Sequence, residues 1–164
     1  MATMPPQKPG LSKQDVQTPP GFLAAVRSLL QISDFDLDVA ADSTNAVVPF
    51  YYDEQTNGLD MPWVVDGWAW CNPPYSKIRP WVERAYEQSQ QGAKIAVLVP
   101  AAVGSNWWRD WVHAKAHIHL LNGRIRFVGH TAGYPKDLAL LLYAQDRPPK
   151  YTIWTWPQWM QEQG

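Results

Sequence analysis

Apolar positions along this chain follow two periods. Phe22, Val26, Leu29 and Leu30 recur at helical spacing after Thr18-Pro19-Pro20. This predicts an amphipathic helix over residues 19–32, with Thr18 as N-cap and Pro19 at its first position. Phe35, Leu37 and Val39 then alternate with Asp34, Asp36 and Asp38, a strand pattern over 35–40 that runs into Ala41-Asp42-Ser43-Thr44-Asn45. Phe50-Tyr51-Tyr52 is a candidate second strand, and residues 53–66 read as loop around the turn signal Asn57-Gly58. Trp68–Cys71 is the next strand. Ile78, Trp81, Val82 and Ala85 mark one face of a helix over 79–91, opened by Pro80 and closed by Gly92. Residues 95–99 form a continuous apolar run ending at Pro100, as suits a parallel strand covered on both faces. A helix starting near Ser105 presents Trp108, Trp111 and Val112. Residues 117–121 and 124–128 flank Asn122-Gly123, which predicts a hairpin, and strands over 138–143 and 151–156 complete the set. Strands alternating with helices before a late hairpin predict an α/β fold, a mostly parallel sheet with an antiparallel edge hairpin. Ligands of such sheets bind beyond the carboxyl ends of the strands. Asp38 and Asn72 both fall at such ends.

A length of 164 residues suits one core, expected as a single compact domain over 18–164 with no separate target-recognition domain. Residues 1–17 are polar and rich in Pro, Lys and Gln, and are expected to form a flexible arm. No apolar run approaches membrane-spanning length and no signal peptide is read, so neither a membrane nor secretion is expected. The single Cys71 precludes an intrachain disulfide and fits a reducing cytoplasm. The net charge of −1 hides an asymmetry. Residues 1–66 carry three Lys/Arg against nine Asp/Glu (3 − 9 = −6), and residues 67–164 carry eleven against six (11 − 6 = +5). The first part suits a cationic ligand, the second a phosphate polymer.

Asn72-Pro73-Pro74-Tyr75 carries the most specific chemistry. Two prolines end the strand and stiffen the loop, because they fix φ and donate no backbone hydrogen bond. An amide oxygen and carbonyls are left as acceptors beside an aromatic ring, a receptor for a flat group bearing an exocyclic NH₂. The plain alternative is a Pro-Pro turn with Tyr75 in the core.

With these residues placed, the chain resembles the phage-type Dam-like DNA adenine-N6 methyltransferases, which use S-adenosylmethionine. The resemblance covers about residues 18–143 and rests on Thr18-Pro19-Pro20, Asp38-Val39-Ala40-Ala41, Asn45, Leu59 with Trp63, Asn72 to Tyr75, Leu98-Val99-Pro100 and Gly123-Arg124-Ile125-Arg126-Phe127. It implies a Rossmann-like methyltransferase fold and methyl transfer to the adenine amino group in DNA, with short or loose sequence preference. Asn72 and the Pro73 carbonyl would hold that amino group, and Tyr75 would stack on the base after it flips out of a duplex. Thr18 and Pro19 would approach the methionine part of the cofactor, and Asp38, Ala40 and Asn45 would line the loop after the first strand. Asp53 or Glu54 would reach the ribose, and Asp60 the cofactor adenine. The Gly-x-Gly usual after the first acidic residue is absent, with Ala41-Asp42-Ser43 in its place. If the chain is phage-encoded, the resemblance implies the bacterial host cytoplasm.

Other readings stay open. Asp38 also reads as a strand-end cap. Lys77, Arg79, Arg109, Lys115, Arg124 and Arg126 are candidates for phosphate contact, and each also reads as a solvated charge. His113, His117 and His119 lack a Cys or acidic partner, so no metal is expected. The same tetrapeptide suits RNA adenine or protein glutamine methylation, and the missing glycines leave room for a non-catalytic nucleic-acid-binding module. Oligomeric state is not legible.

Overall fold

Trp68, Ala69, Trp70 and Cys71 are all buried, and successive side chains of a strand point to opposite faces, so this strand needs cover on both sides. The computed structural model, which describes residues 17–163, supplies that cover. The elements run α1 (Pro20–Leu30), β1 (Leu37–Asp38), a 3₁₀ turn (Gly58–Asp60), β2 (Trp68–Cys71), α2 (Arg79–Ser89), β3 (Lys94–Pro100), α3 (Asn106–Trp111), β4 (His117–Asn122), β5 (Leu138–Tyr143), β6 (Lys150–Thr155) and a second 3₁₀ segment (Gln158–Gln163). Trp68, Trp70, Leu98, Leu140 and Leu142 pack against Phe22 and Val26 of α1. Ala69, Cys71, Val97, Leu141 and Tyr143 pack against Val82 and Ala85 of α2 and Trp108 of α3. Helices therefore lie on both faces of one sheet. No helix among the described residues is long and apolar enough to cross a membrane.

The sheet order is β1-β2-β3-β5-β4-β6. β1–β2, β2–β3 and β4–β6 are parallel, while β5 runs antiparallel to both β3 and β4. The mostly parallel α/β architecture matches the sequence reading, but the edge hairpin over 117–128 does not form. β4 takes β5 as its antiparallel partner, because β5 is buried at all six positions and fits only an interior slot. Residues 124–127 run outside the sheet, with Ile125 and Phe127 buried in the α1-side core and Arg124 exposed. The strand expected over 35–40 is shortened to two residues, and Phe50-Tyr51-Tyr52 makes only an isolated parallel bridge, Asp38 with Tyr51.

Helix α1 starts one residue later than expected. Pro19 is its N-cap with Pro20 next, and Gln31 closes it in the left-handed region at φ 57°. Thr18 therefore does not cap the helix, and its hydroxyl is engaged elsewhere. The expected arm over 1–17 lies outside the described residues except for Gln17, whose carbonyl accepts the Val128 N–H at 3.1 Å.

Candidate active site

Parallel pairing puts Asp38 beside Trp70, so the chain leaves β1 and β2 at the same edge of the sheet. Asp38 is only 2% exposed. Its carboxylate accepts the Ala40 N–H at 3.2 Å and the Val47 N–H at 3.1 Å, which folds the following loop back over it. Burial pushes its pKa up to about 6, against the lowering effect of those two hydrogen bonds, and the neighbouring Asp42 charge pushes the same way as burial. The loop itself is built by side chains instead of the expected glycines. Asp42 Oδ1 accepts the Thr44 N–H at 2.8 Å, the Thr44 hydroxyl at 2.6 Å and the Asn45 N–H at 3.0 Å, and Asn45 Oδ1 accepts the Asp42 N–H at 2.8 Å. Such Asp/Asn turns hold a tight backbone without Gly-x-Gly.

Across from this loop, Asn72 Nδ2 donates to Thr18 Oγ1 at 2.8 Å. One amide hydrogen is thereby fixed, and the orientation of the side-chain oxygen with it. Gln17, Thr18, Asp38, Ala40, Asn45 and Asn72 line one narrow cleft. Ala40 also borders a second, wider cavity, together with Tyr52, Asp53, Glu54, Pro74 and Trp81. Ala40 of the β1 loop lines both spaces, while the Asn72–Tyr75 loop gives Asn72 to the first and Pro74 to the second. Thr56 donates its N–H to Asp53 Oδ1 at 2.9 Å and holds that carboxyl below its usual range, so it is ionised at neutral pH. Gly58 lies so close to the Val39 carbonyl that any Cβ there would overlap it, which ties the 3₁₀ turn to the end of β1.

Of the residues expected at the cofactor, the structure gathers Thr18, Asp38, Ala40 and Asn45 with Asn72. Pro19 stands behind them as the α1 N-cap. Asp60 does not reach the cavity. It is exposed and accepts a hydrogen bond from Asn57 Nδ2 at 2.8 Å, and Asn57 lines the cavity instead. Trp81 reads in sequence as a core position of a helix, yet it forms a cavity wall, backed by a stacked Trp63 at 6.2 Å and 23°.

Tyr75 meets two further rings edge-on, Phe127 at 6.3 Å and Tyr134 at 5.8 Å, and those two meet each other at 5.5 Å. Its hydroxyl is buried without a hydrogen-bond partner, and burial raises its pKa well above the usual phenol value. No signal in the sequence singled out Tyr134, since it sits in an irregular segment. Cys71 is fully buried on the α2 face, and burial raises its thiol pKa well above the ordinary value, so it is no nucleophile.

The candidate phosphate contacts fall into two groups. Arg79 and Arg109 converge on Asp110 at 3.3 and 2.7 Å, with Lys77 exposed between the Asn72–Tyr75 loop and α2. Arg124 pairs with Asp137 at 3.3 Å, and Arg126 follows it in the segment after β4. Lys115 does not join them. It precedes β4, at the opposite edge of the sheet, with its ammonium 5.4 Å from the Tyr86 ring and 5.8 Å from that of Trp111. His117 and His119 stack at 4.6 Å, and burial lowers the His119 pKa to about 4. Among the described residues no group of three or more His, Cys, Asp or Glu could hold a metal ion.

The family model for DNA N-6-adenine-methyltransferase (Dam) matches residues 9–140. The chain belongs to this family. A DNA N-6-adenine-methyltransferase of Escherichia phage T1 is 29% identical, the match covering 63% of this chain and 50% of the phage protein. The protein of the same name from Haemophilus phage HP1 is 34% identical over 63% of this chain and 60% of its own length. This Dam-family chain thus spans between half and three-fifths of the curated relatives it matches. A solved structure of a predicted O-methyltransferase from Agrobacterium tumefaciens overlaps 76% of the chain and 53% of its own, at 16% identity and a TM-score of 0.35.

Proposed function

We propose that this chain transfers a methyl group from S-adenosylmethionine to the N6 amino group of adenine in DNA. The observation that carries the reading is the Thr18–Asn72 hydrogen bond, made in a cleft that shares Ala40 with an acidic, aromatic cavity bordered by Pro74. The donor set fits the cofactor. Tyr52 and Trp81 offer flat walls to the adenine, Asp53 and Glu54 offer carboxylates to the ribose hydroxyls, and Asp38 offers one to the ammonium. The cofactor supplies a methyl group made electrophilic by a cationic sulfur.

What the chain adds is placement. Asn72 Oδ1 and the Pro73 carbonyl accept the two hydrogens of the target amino group, so its lone pair points toward the cleft. The Thr18 hydroxyl keeps the Asn72 amide from rotating out of that pose. Tyr75 offers its ring to the base, and Lys77, Arg79, Arg109, Arg124 and Arg126 meet phosphates. Orientation and electrostatic support are then the main contributions, with no covalent intermediate on the protein. The phage origin of the relatives favours a bacterial cytoplasm as the setting. The direct test is labelled methyl donor with purified protein and DNA. N6-methyladenine in the digested product is expected. Label on RNA or on glutamine amides alone would move the substrate, and no transfer by folded, donor-binding protein would remove the reading.

Asp38 adds a pH signature. Its raised pKa favours the folded state with a neutral carboxyl, a contribution present below the unfolded value and lost as pH rises through about 6. A bound ammonium favours the ionised form, so the sign for binding is opposite. Donor affinity is expected to be flat above about pH 7 and to weaken toward about tenfold per unit below pH 6. Asp38→Asn should bind more weakly, with no such slope. Titration calorimetry from pH 5 to 8 checks this, and a flat wild-type profile would place the ammonium elsewhere.

A further inference from the structure

Residues 123–137 form a built structure outside the sheet, at the same edge as Asn72. β4 enters it and β5 leaves it there, since Leu138 pairs with Pro100 at the carboxyl end of β3. Tyr134 N–H donates to the Ile125 carbonyl at 2.6 Å, Val128 N–H to the Gln17 carbonyl, and the Asp137 carbonyl accepts the Ala101 N–H at 2.9 Å. The segment encloses a cavity of its own. Phe127 and Tyr134 form its aromatic side, and exposed His130 and Thr131 stand on its rim. No carboxylate lines it, in contrast to Asp53 and Glu54 at the other cavity. The segment carries Arg124, Arg126 and Lys136 against Asp137 (3 − 1 = +2).

The half-exposed Tyr134 ring, backed by buried Phe127, with polar His130 and Thr131 and a net positive segment, suits a nucleobase of an anionic strand. That base is not the target adenine. None of Asn72, Pro74 and Tyr75 lines this cavity, although the Tyr75 ring meets Phe127 and Tyr134 edge-on. Resting on the reading of the chain as a DNA adenine methyltransferase, we propose that the cavity between residues 127 and 135 receives a base adjacent to the target adenine. His130 and Thr131 read its edge by hydrogen bonding and so set the sequence context that is methylated.

The test uses the full chain and a DNA pool with randomised bases around each adenine, the methylated positions being mapped by sequencing. Wild type is expected to favour one base at one position beside the adenine. The double variant His130→Ala with Thr131→Ala removes only exposed side chains, and it should flatten that preference by about tenfold or more while leaving other positions unchanged. An unchanged preference, or an equal slowing in every context, overturns the proposal and leaves the methyltransferase reading standing. No methylated DNA from donor-bound wild type overturns both.

Discussion

Asn72→Ala is expected to lower methyl transfer by about 10²–10³-fold, the loss typical of one preorganised hydrogen-bonding group at a reacting centre. The variant keeps the Pro73 carbonyl and the cofactor cavity but lacks the acceptor that Thr18 holds in place at 2.8 Å. Nothing in that change touches Asp53, Glu54 or Trp81, so donor affinity should stay within about threefold, well under 1 kcal/mol. Single-turnover rates at saturating donor, with calorimetric affinities alongside, separate the two effects. A fall in rate of less than tenfold would move the amino-group receptor away from Asn72.

The largest effect on stability is expected at Trp63. Its side chain is fully buried, its indole N–H donates to the Gly58 carbonyl at 2.8 Å, and its backbone N–H donates to Gln88 Oε1 at 2.7 Å. Trp63→Ala leaves a large void and removes the indole hydrogen bond to the Gly58 carbonyl, which keeps only the Met61 N–H at 3.3 Å, at a cost of about 3–5 kcal/mol. The void opens directly behind Trp81, so donor affinity should fall as well, an effect absent from a variant that is merely less stable elsewhere. Denaturant unfolding followed by calorimetry reads both. A cost under 1 kcal/mol would mean that the Trp63–Trp81 stack is not what holds the cavity wall.

The two tryptophans illustrate where sequence reasoning stops. Trp81 lies on the same helical stripe as Val82 and Ala85, and periodicity assigns it to the core. Only the position of the 3₁₀ turn, pressed against Val39 through Gly58, leaves one side of that ring facing a cavity. The hairpin expected at Asn122-Gly123 failed for a related reason. The turn signal is local, but β5 is apolar on both faces and competes for the slot beside β4, and burying six side chains outweighs one favourable turn. Arg124 and Arg126 could not have occupied that slot without burying charge.

Asn72-Pro73-Pro74-Tyr75 was legible because its chemistry is local: an amide, two prolines that stop a strand and a ring stand in four consecutive residues. The α/β alternation was legible for the same reason, as were Asp38 and Asn72 at strand ends, since hydrophobic period and backbone restriction act over a few residues. The hydroxyl that orients Asn72 was not, because Thr18 is 54 residues away and reads locally as a helix cap. Nor was the closure of Asp38 by Val47, or the meeting of Tyr75 with Phe127 and Tyr134. Those contacts depend on which strands become neighbours, and strand order follows from the burial of whole faces of the sheet.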